Sequence, residues 1–159
     1  MAIVTLNTAL GVAANIPDAF PENYRGQMRL TAETTLVFAA ADTYQKVEGV
    51  WLDGHLNKFE TDNLGTLTYI GPDTFALMNG VSDLQVNKAC EVTYALFKNG
   101  VLVEGAETPH TFTATSKTSN ISITRICEIN TGDELEVYAK CDDGTATALI
   151  KSLTVTVWK

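Results

Sequence analysis

The sequence predicts an all-β fold, a jelly-roll sandwich with an extended N-terminal arm, and three observations carry that reading. Short apolar-rich runs are separated by turn residues about every eight to twelve positions. One of these turns, Asn99-Gly100, sits between two runs that alternate cleanly. No segment combines the period of an amphipathic helix with caps at both ends. The hairpin spans Cys90–Glu104 and is the anchor of the chain. A type I′ turn needs φ > 0 at both central residues, which Asn followed by Gly tolerates best. Val92, Tyr94 and Leu96 then share one face, and Thr93, Ala95 and Phe97 the other. Apolar groups on both faces suit a strand packed on two sides.

The other elements follow in order. Residues 1–31 show no steady period, and Pro17 and Pro21 remove backbone donors and hold their neighbours extended. Their apolar groups, from Ile3 to Leu30, are too many for a tail that binds nothing, so an arm that packs on a partner is expected. The body, 32–159, opens with β-runs at Thr34–Ala41 and Tyr44–Leu52, the second placing Val47 and Trp51 on one face. Asp53-Gly54-His55 reads as a turn, followed by short strands at Leu56–Glu60 and Thr66–Ile70. Gly71-Pro72-Asp73 is strong turn punctuation. Thr74–Val86 is apolar but interrupted at Asn79-Gly80 and Ser82-Asp83, and Pro109-His110 reads as a loop. In Ile121–Ile129, Ile121, Ile123, Cys127 and Ile129 are in phase, with Arg125 the exception. Glu134–Cys141 and Leu149–Lys159 alternate equally well, separated by the turn Asp142-Asp143-Gly144.

The 159 residues suit one domain, and a chain of this size buries roughly 70% of its unfolded surface. No apolar run approaches the ~18 residues of a membrane helix, and no charged start marks a secretory signal. The expectation is a protein made in a cytoplasm, with no membrane partner. Net charge is −8, and its placement is uneven. Asp18 and Glu22 balance Arg25 and Arg29, so the remaining 9 basic and 17 acidic residues all lie in the body. That balance argues against nucleic acid as a partner, since phosphate binding is dominated by Lys and Arg.

Little in the sequence points to catalysis or a cofactor. No phosphate loop, zinc-protease pair or nucleophile elbow is present. His55 and His110 lie in apparent turns. Asp142-Asp143 and Asp62-Asn63 lack the spaced oxygen ladder that a Ca²⁺ loop uses to supply about six to eight ligands. Cys90, Cys141 and Cys127 are far apart and form no CxxC pair, so buried free thiols are expected in place of zinc or disulfides. The tyrosines and tryptophans read as core or subunit-contact groups before a sugar platform.

From Glu33 to Lys159 the order of features resembles the tumour-necrosis-factor-like jelly-roll domain of tailed-bacteriophage virion proteins. The matching pieces are Phe38-Ala39-Ala40-Ala41-Asp42-Thr43-Tyr44, Gly65-Thr66-Leu67-Thr68-Tyr69-Ile70-Gly71, Tyr94-Ala95-Leu96-Phe97-Lys98-Asn99-Gly100-Val101 and Thr131-Gly132-Asp133-Glu134-Leu135-Glu136-Val137. The resemblance implies a homotrimer with a non-enzymatic virion role. A stretch of 31 residues without heptads or β-helix repeats is short for a fibre shaft and suits an anchoring arm. The expected function is therefore a capsid decoration (cement) protein on the outer head surface, bound to the major capsid protein. The alternative is a short tail or head-fibre tip that binds host surface glycan. Phe20, Tyr24, Arg25, Met28, Arg29 and Leu30 are the expected capsid-binding residues of the arm. Tyr94, Phe97, Tyr138 and Trp158 are the expected trimer contacts, with no metal or cofactor.

Overall fold

The computed structural model describes residues 24–115 and 117–159, which form twelve strands and no helix. Expectations that fall on residues 1–23, Phe20 among them, lie outside the described residues. The strands are β1 Arg25–Leu30, β2 Thr34–Val37, β3 Gln45–Lys46, β4 Trp51–Asn57, β5 Phe59–Thr61, β6 Thr66–Tyr69, β7 Thr74–Val86, β8 Cys90–Lys98, β9 Val101–Phe112, β10 Thr118–Ile129, β11 Glu134–Cys141 and β12 Thr147–Trp158. They build two antiparallel sheets. The first runs β10-β7-β12-β1-β4, with β2 also on β12; the second runs β5-β6-β11-β8-β9, with β3 also on β11. From β6 onward the chain passes repeatedly between the sheets, the path of a jelly roll.

The core lies between the inner faces. Met28, Met78, Leu84, Ile150 and Leu153 from the first sheet meet Leu67, Tyr69, Tyr94, Leu96 and Leu135 from the second, all essentially without solvent exposure. Period-2 alternation dictates this: in β7 the residues Ala76, Met78, Gly80, Ser82, Leu84 and Val86 are buried, and those between them are not. The hairpin closes as its sequence requires. Lys98 pairs with Val101, and Asn99 and Gly100 take φ of 53° and 71°.

Four expectations need correction. Arg25–Leu30 is no part of an arm: β1 lies between β12 and β4, so the body begins near Tyr24 and not at residue 32. Tyr24, Gly26, Met28 and Leu30 alternate with Arg25, Gln27 and Arg29, but the glycine hid the pattern. Gly26 is required because a Cβ there would lie 2.6 Å from Phe59 Cγ. Asp53-Gly54-His55 runs inside β4 and makes no turn. Asn79-Gly80 and Ser82-Asp83 do not break β7, since Asn79 and Asp83 alternate with buried Gly80 and Ser82. Pro109 and His110 lie within β9, an edge strand, where a missing N–H is tolerated.

Candidate interaction surface

The outward face of the first sheet is assembled row by row from cross-strand register. Ile126, Leu77, Trp158 and Arg25 form one row across β10, β7, β12 and β1. Thr124, Asn79, Thr156 and Gln27 form the next, and Ser122, Val81, Thr154 and Arg29 the third. Four large apolar groups stand out on β10, β7 and β12: Phe75 is 66% exposed, Ile126 64%, and Val81 and Trp158 37% each, with Glu128 opposite Phe75. The middle row is polar and internally bonded, Asn79 Nδ2 donating to Thr124 Oγ1 at 2.7 Å and Gln27 Nε2 to Thr156 Oγ1 at 3.5 Å. On the β1 side Arg25 and Arg29 project outward on either side of Gln27. A recess of about 430 Å³ opens there, lined by Gln27, Arg29, Asp53, Gly54, His55 and Thr154. One face thus joins the apolar groups to two outward arginines, with Asp53 beside Arg29, in a chain whose net charge is −8.

The expected arm contacts divide along the same alternation. Tyr24 and Met28 are buried in the core and Leu30 packs against it, so none of the three can reach a shell. Arg25 and Arg29 are exposed. The expected trimer contacts divide as well. Tyr94 lies between the sheets, its hydroxyl 3.0 Å from Ser82 Oγ, and burial raises its pKa. It is a core residue. Phe97 and Tyr138 stack on the outward face of the second sheet with centroids 4.1 Å apart, and Tyr44 meets Phe97 edge-on at 5.1 Å. Polar groups frame this cluster: Tyr44 donates to Glu107, Lys140 Nζ sits 4.6 Å from the Tyr44 ring centre, and Lys46 pairs with Glu136 at 2.7 Å. Its rings and charges are paired within one chain. Only Trp158 belongs to the exposed strip.

Phe75, Leu77, Val81 and Ile126 escaped the sequence reading. The available signal was phase: each stands out of step with the core residues of its strand, where a polar residue is the norm. Arg125, the sequence's exception, occupies a core-phase position, and its guanidinium lies over Gly105 in β9, 3.1 Å from where a Cβ would stand.

No family model matches the chain, and no curated protein matches it. Solved structures do. The structure of Eiger TNF from S. frugiperda aligns with a TM-score of 0.56 at 12% identity, covering 85% of this chain and 91% of that one. The structure of murine APRIL at pH 5.0 aligns with a TM-score of 0.50 at 10% identity, covering 82% of this chain and 99% of that one. At such identities the likeness is one of fold, and the fold is that of a tumour-necrosis-factor-like jelly roll.

Proposed function

We propose that this protein is a bacteriophage capsid decoration protein, a homotrimer that binds the outer surface of the assembled head and stabilises it by bridging major capsid subunits. The observation that carries the reading is the outward face of the first sheet. Large apolar groups exposed together on a small domain mark a contact surface, and Phe75, Ile126 and Trp158, with half-buried Leu77 between them, supply one. Aromatic side chains enrich the centres of such contacts. Copies of this chain are its occupant, and the acidic remainder of the body stays solvated. Arg25 and Arg29 border the strip and are suited to charge-assisted hydrogen bonds with shell carboxylates.

Purified protein mixed with expanded, empty shells of its phage tests the proposal by co-sedimentation and cryo-electron microscopy. Saturable occupancy of repeated sites on the head is expected. Arg25→Glu with Arg29→Glu should reduce occupancy and remove much of its salt dependence, while leaving the oligomer intact. Absence from heads, together with specific hits on a glycan array, would overturn the decoration role in favour of a fibre tip.

A further inference from the structure

Cys90 opens β8 and Cys141 closes the neighbouring β11, where Cys141 pairs with Val92. The two cysteines are 51 positions apart in sequence, yet both point into the same end of the sandwich, 7% and 0% exposed. Their Sγ atoms and a carboxylate oxygen of Asp142 all lie within 4.8 Å of one another. The surrounding bonds fix this arrangement. Asp142 Oδ1 accepts the Glu91 N–H at 2.9 Å, and Asp142 N donates to Glu91 O at 3.1 Å. Asp143 N donates to Cys141 Sγ at 3.4 Å, a contact that favours the thiolate. The turn behind it is closed: Asp143 Oδ1 accepts from Thr145 N and Oγ1 at 2.8 Å each, and Asp143 O accepts from Ala146 N at 3.1 Å. Lys88 bonds Asp143 at 2.8 Å, which leaves Asp142 as the unbalanced charge at the mouth.

We propose that Cys90, Cys141 and Asp142 bind a thiophilic divalent cation of the Zn²⁺ class, with water in the fourth position. Tetrahedral zinc takes thiolate sulfur at about 2.3 Å and carboxylate oxygen at about 2.1 Å, so its ligands stand roughly 3.6–3.8 Å from one another. Rotamer adjustment of about 1 Å closes the present triangle onto a metal. Asp142 is exposed and provides the entry path, while its bond from Glu91 N–H is the outer-sphere support that orients a metal-binding carboxylate. Binding replaces the two thiol protons, which pass to solvent. A disulfide is the competing fate of two close thiols. Forming it removes two electrons and so needs an oxidant, which the structure does not supply. A dication instead gains from the acidic turn. Cys127 lies elsewhere, its Sγ 3.4 Å from Met78 Sδ, and takes no part.

Co²⁺ added to the reduced, chelator-treated protein is the direct probe. One equivalent should give sulfur-to-cobalt charge transfer and intense tetrahedral visible bands, both abolished by Zn²⁺. Zn²⁺ should also raise the melting temperature, and a chelator should reverse the rise. Cys127→Ser should change none of this, and Cys141→Ser should remove the charge-transfer band. Asp142→Asn, exposed and compatible with folding, is the decisive variant. Outer-sphere partners alone are worth about 10–100-fold in metal affinity, so losing this ligand should weaken binding by at least tenfold. The proposal is overturned if the folded protein gives no tetrahedral spectrum, if the spectrum survives Cys141→Ser, or if Asp142→Asn binds as tightly as the parent.

Discussion

Asn99, Gly100 and Asp133 show how single residues hold the second sheet together. Gly100 has φ of 71°, and a Cβ there would meet nothing within 4 Å. Any penalty for a side chain is therefore backbone strain alone. Gly100→Val should cost about 1–3 kcal/mol, read from the urea midpoint; an unchanged midpoint would mean that the turn is not type I′. Asn99 joins this turn to the next: Asn99 Nδ2 donates to Asp133 Oδ1 at 2.6 Å, and Asn99 Oδ1 accepts from Glu134 N at 2.8 Å. Asp133 also accepts from Asn130 N at 2.9 Å and pairs with Lys98 at 3.3 Å. Burial pushes its pKa up, but these donors outweigh burial and hold it below the ordinary carboxylate range. A carboxyl depressed by folding adds stability above its unfolded pKa, near 3.9, and loses it as pH falls through the folded value. Asp133→Asn should therefore destabilise the protein at pH 7 and flatten its unfolding profile at acid pH. An acid-unfolding curve identical to that of the parent would exclude Asp133 as a contributor.

Among the strands, β1 has the least obvious sequence and one of the most consequential positions. It pairs with β12 on one side and β4 on the other, and Met28 in its middle is fully buried. A chain lacking residues 2–30 would expose the edges of both neighbours and a cavity at Met28. It should not fold to a cooperative native state. A chain lacking only residues 2–22 retains every described strand and should unfold cooperatively near the parent temperature. Thermal melts of the two truncations separate these outcomes. Equal stability would show that β1 contributes little. Gly26 adds a finer measure, because any Cβ there collides with the Phe59 ring. Gly26→Val should be strongly destabilising alone and less so combined with Phe59→Ala, the non-additivity expected of residues in contact.

At the scale of the whole molecule, the outward faces of the two sheets differ in how their large side chains are covered. The outward face of the first sheet carries the apolar strip and Arg25 and Arg29, while the outward face of the second carries Lys46–Glu136 and Lys140–Glu107 pairs around its aromatic cluster. The first surface leaves large apolar groups exposed, and the second surrounds its rings with ion pairs of the same chain. Phe75→Glu with Ile126→Glu places two charges in the proposed contact between copies. Both positions are exposed in one chain, so folding should persist. A central contact residue is worth about 2 kcal/mol or more, so the proposed trimer predicts light scattering of three chains for the parent and of a single chain for the variant. A parent protein that is monomeric at micromolar concentration would remove the strip as a trimer contact.

Local sequence determined the strand periods, the Asn99-Gly100 hairpin, the Glu134–Cys141 strand to the residue, and hence the all-β class. These depend on neighbours along the chain: φ tolerance, alternation and turn chemistry. The rest depended on neighbours across space. Phe59 explains Gly26 and so the strand character of β1. A central place in the first sheet buries Met28, which the sequence offered as a partner contact. Phe97 and Tyr138, far apart in sequence, stack on each other across β8 and β11. The strip of Phe75, Leu77, Ile126 and Trp158 comes from three strands, and Cys90 meets Cys141 through the β8–β11 register. Strand order and register place such residues side by side, and no local propensity encodes either, because both are decided by which sheet faces close on the common core.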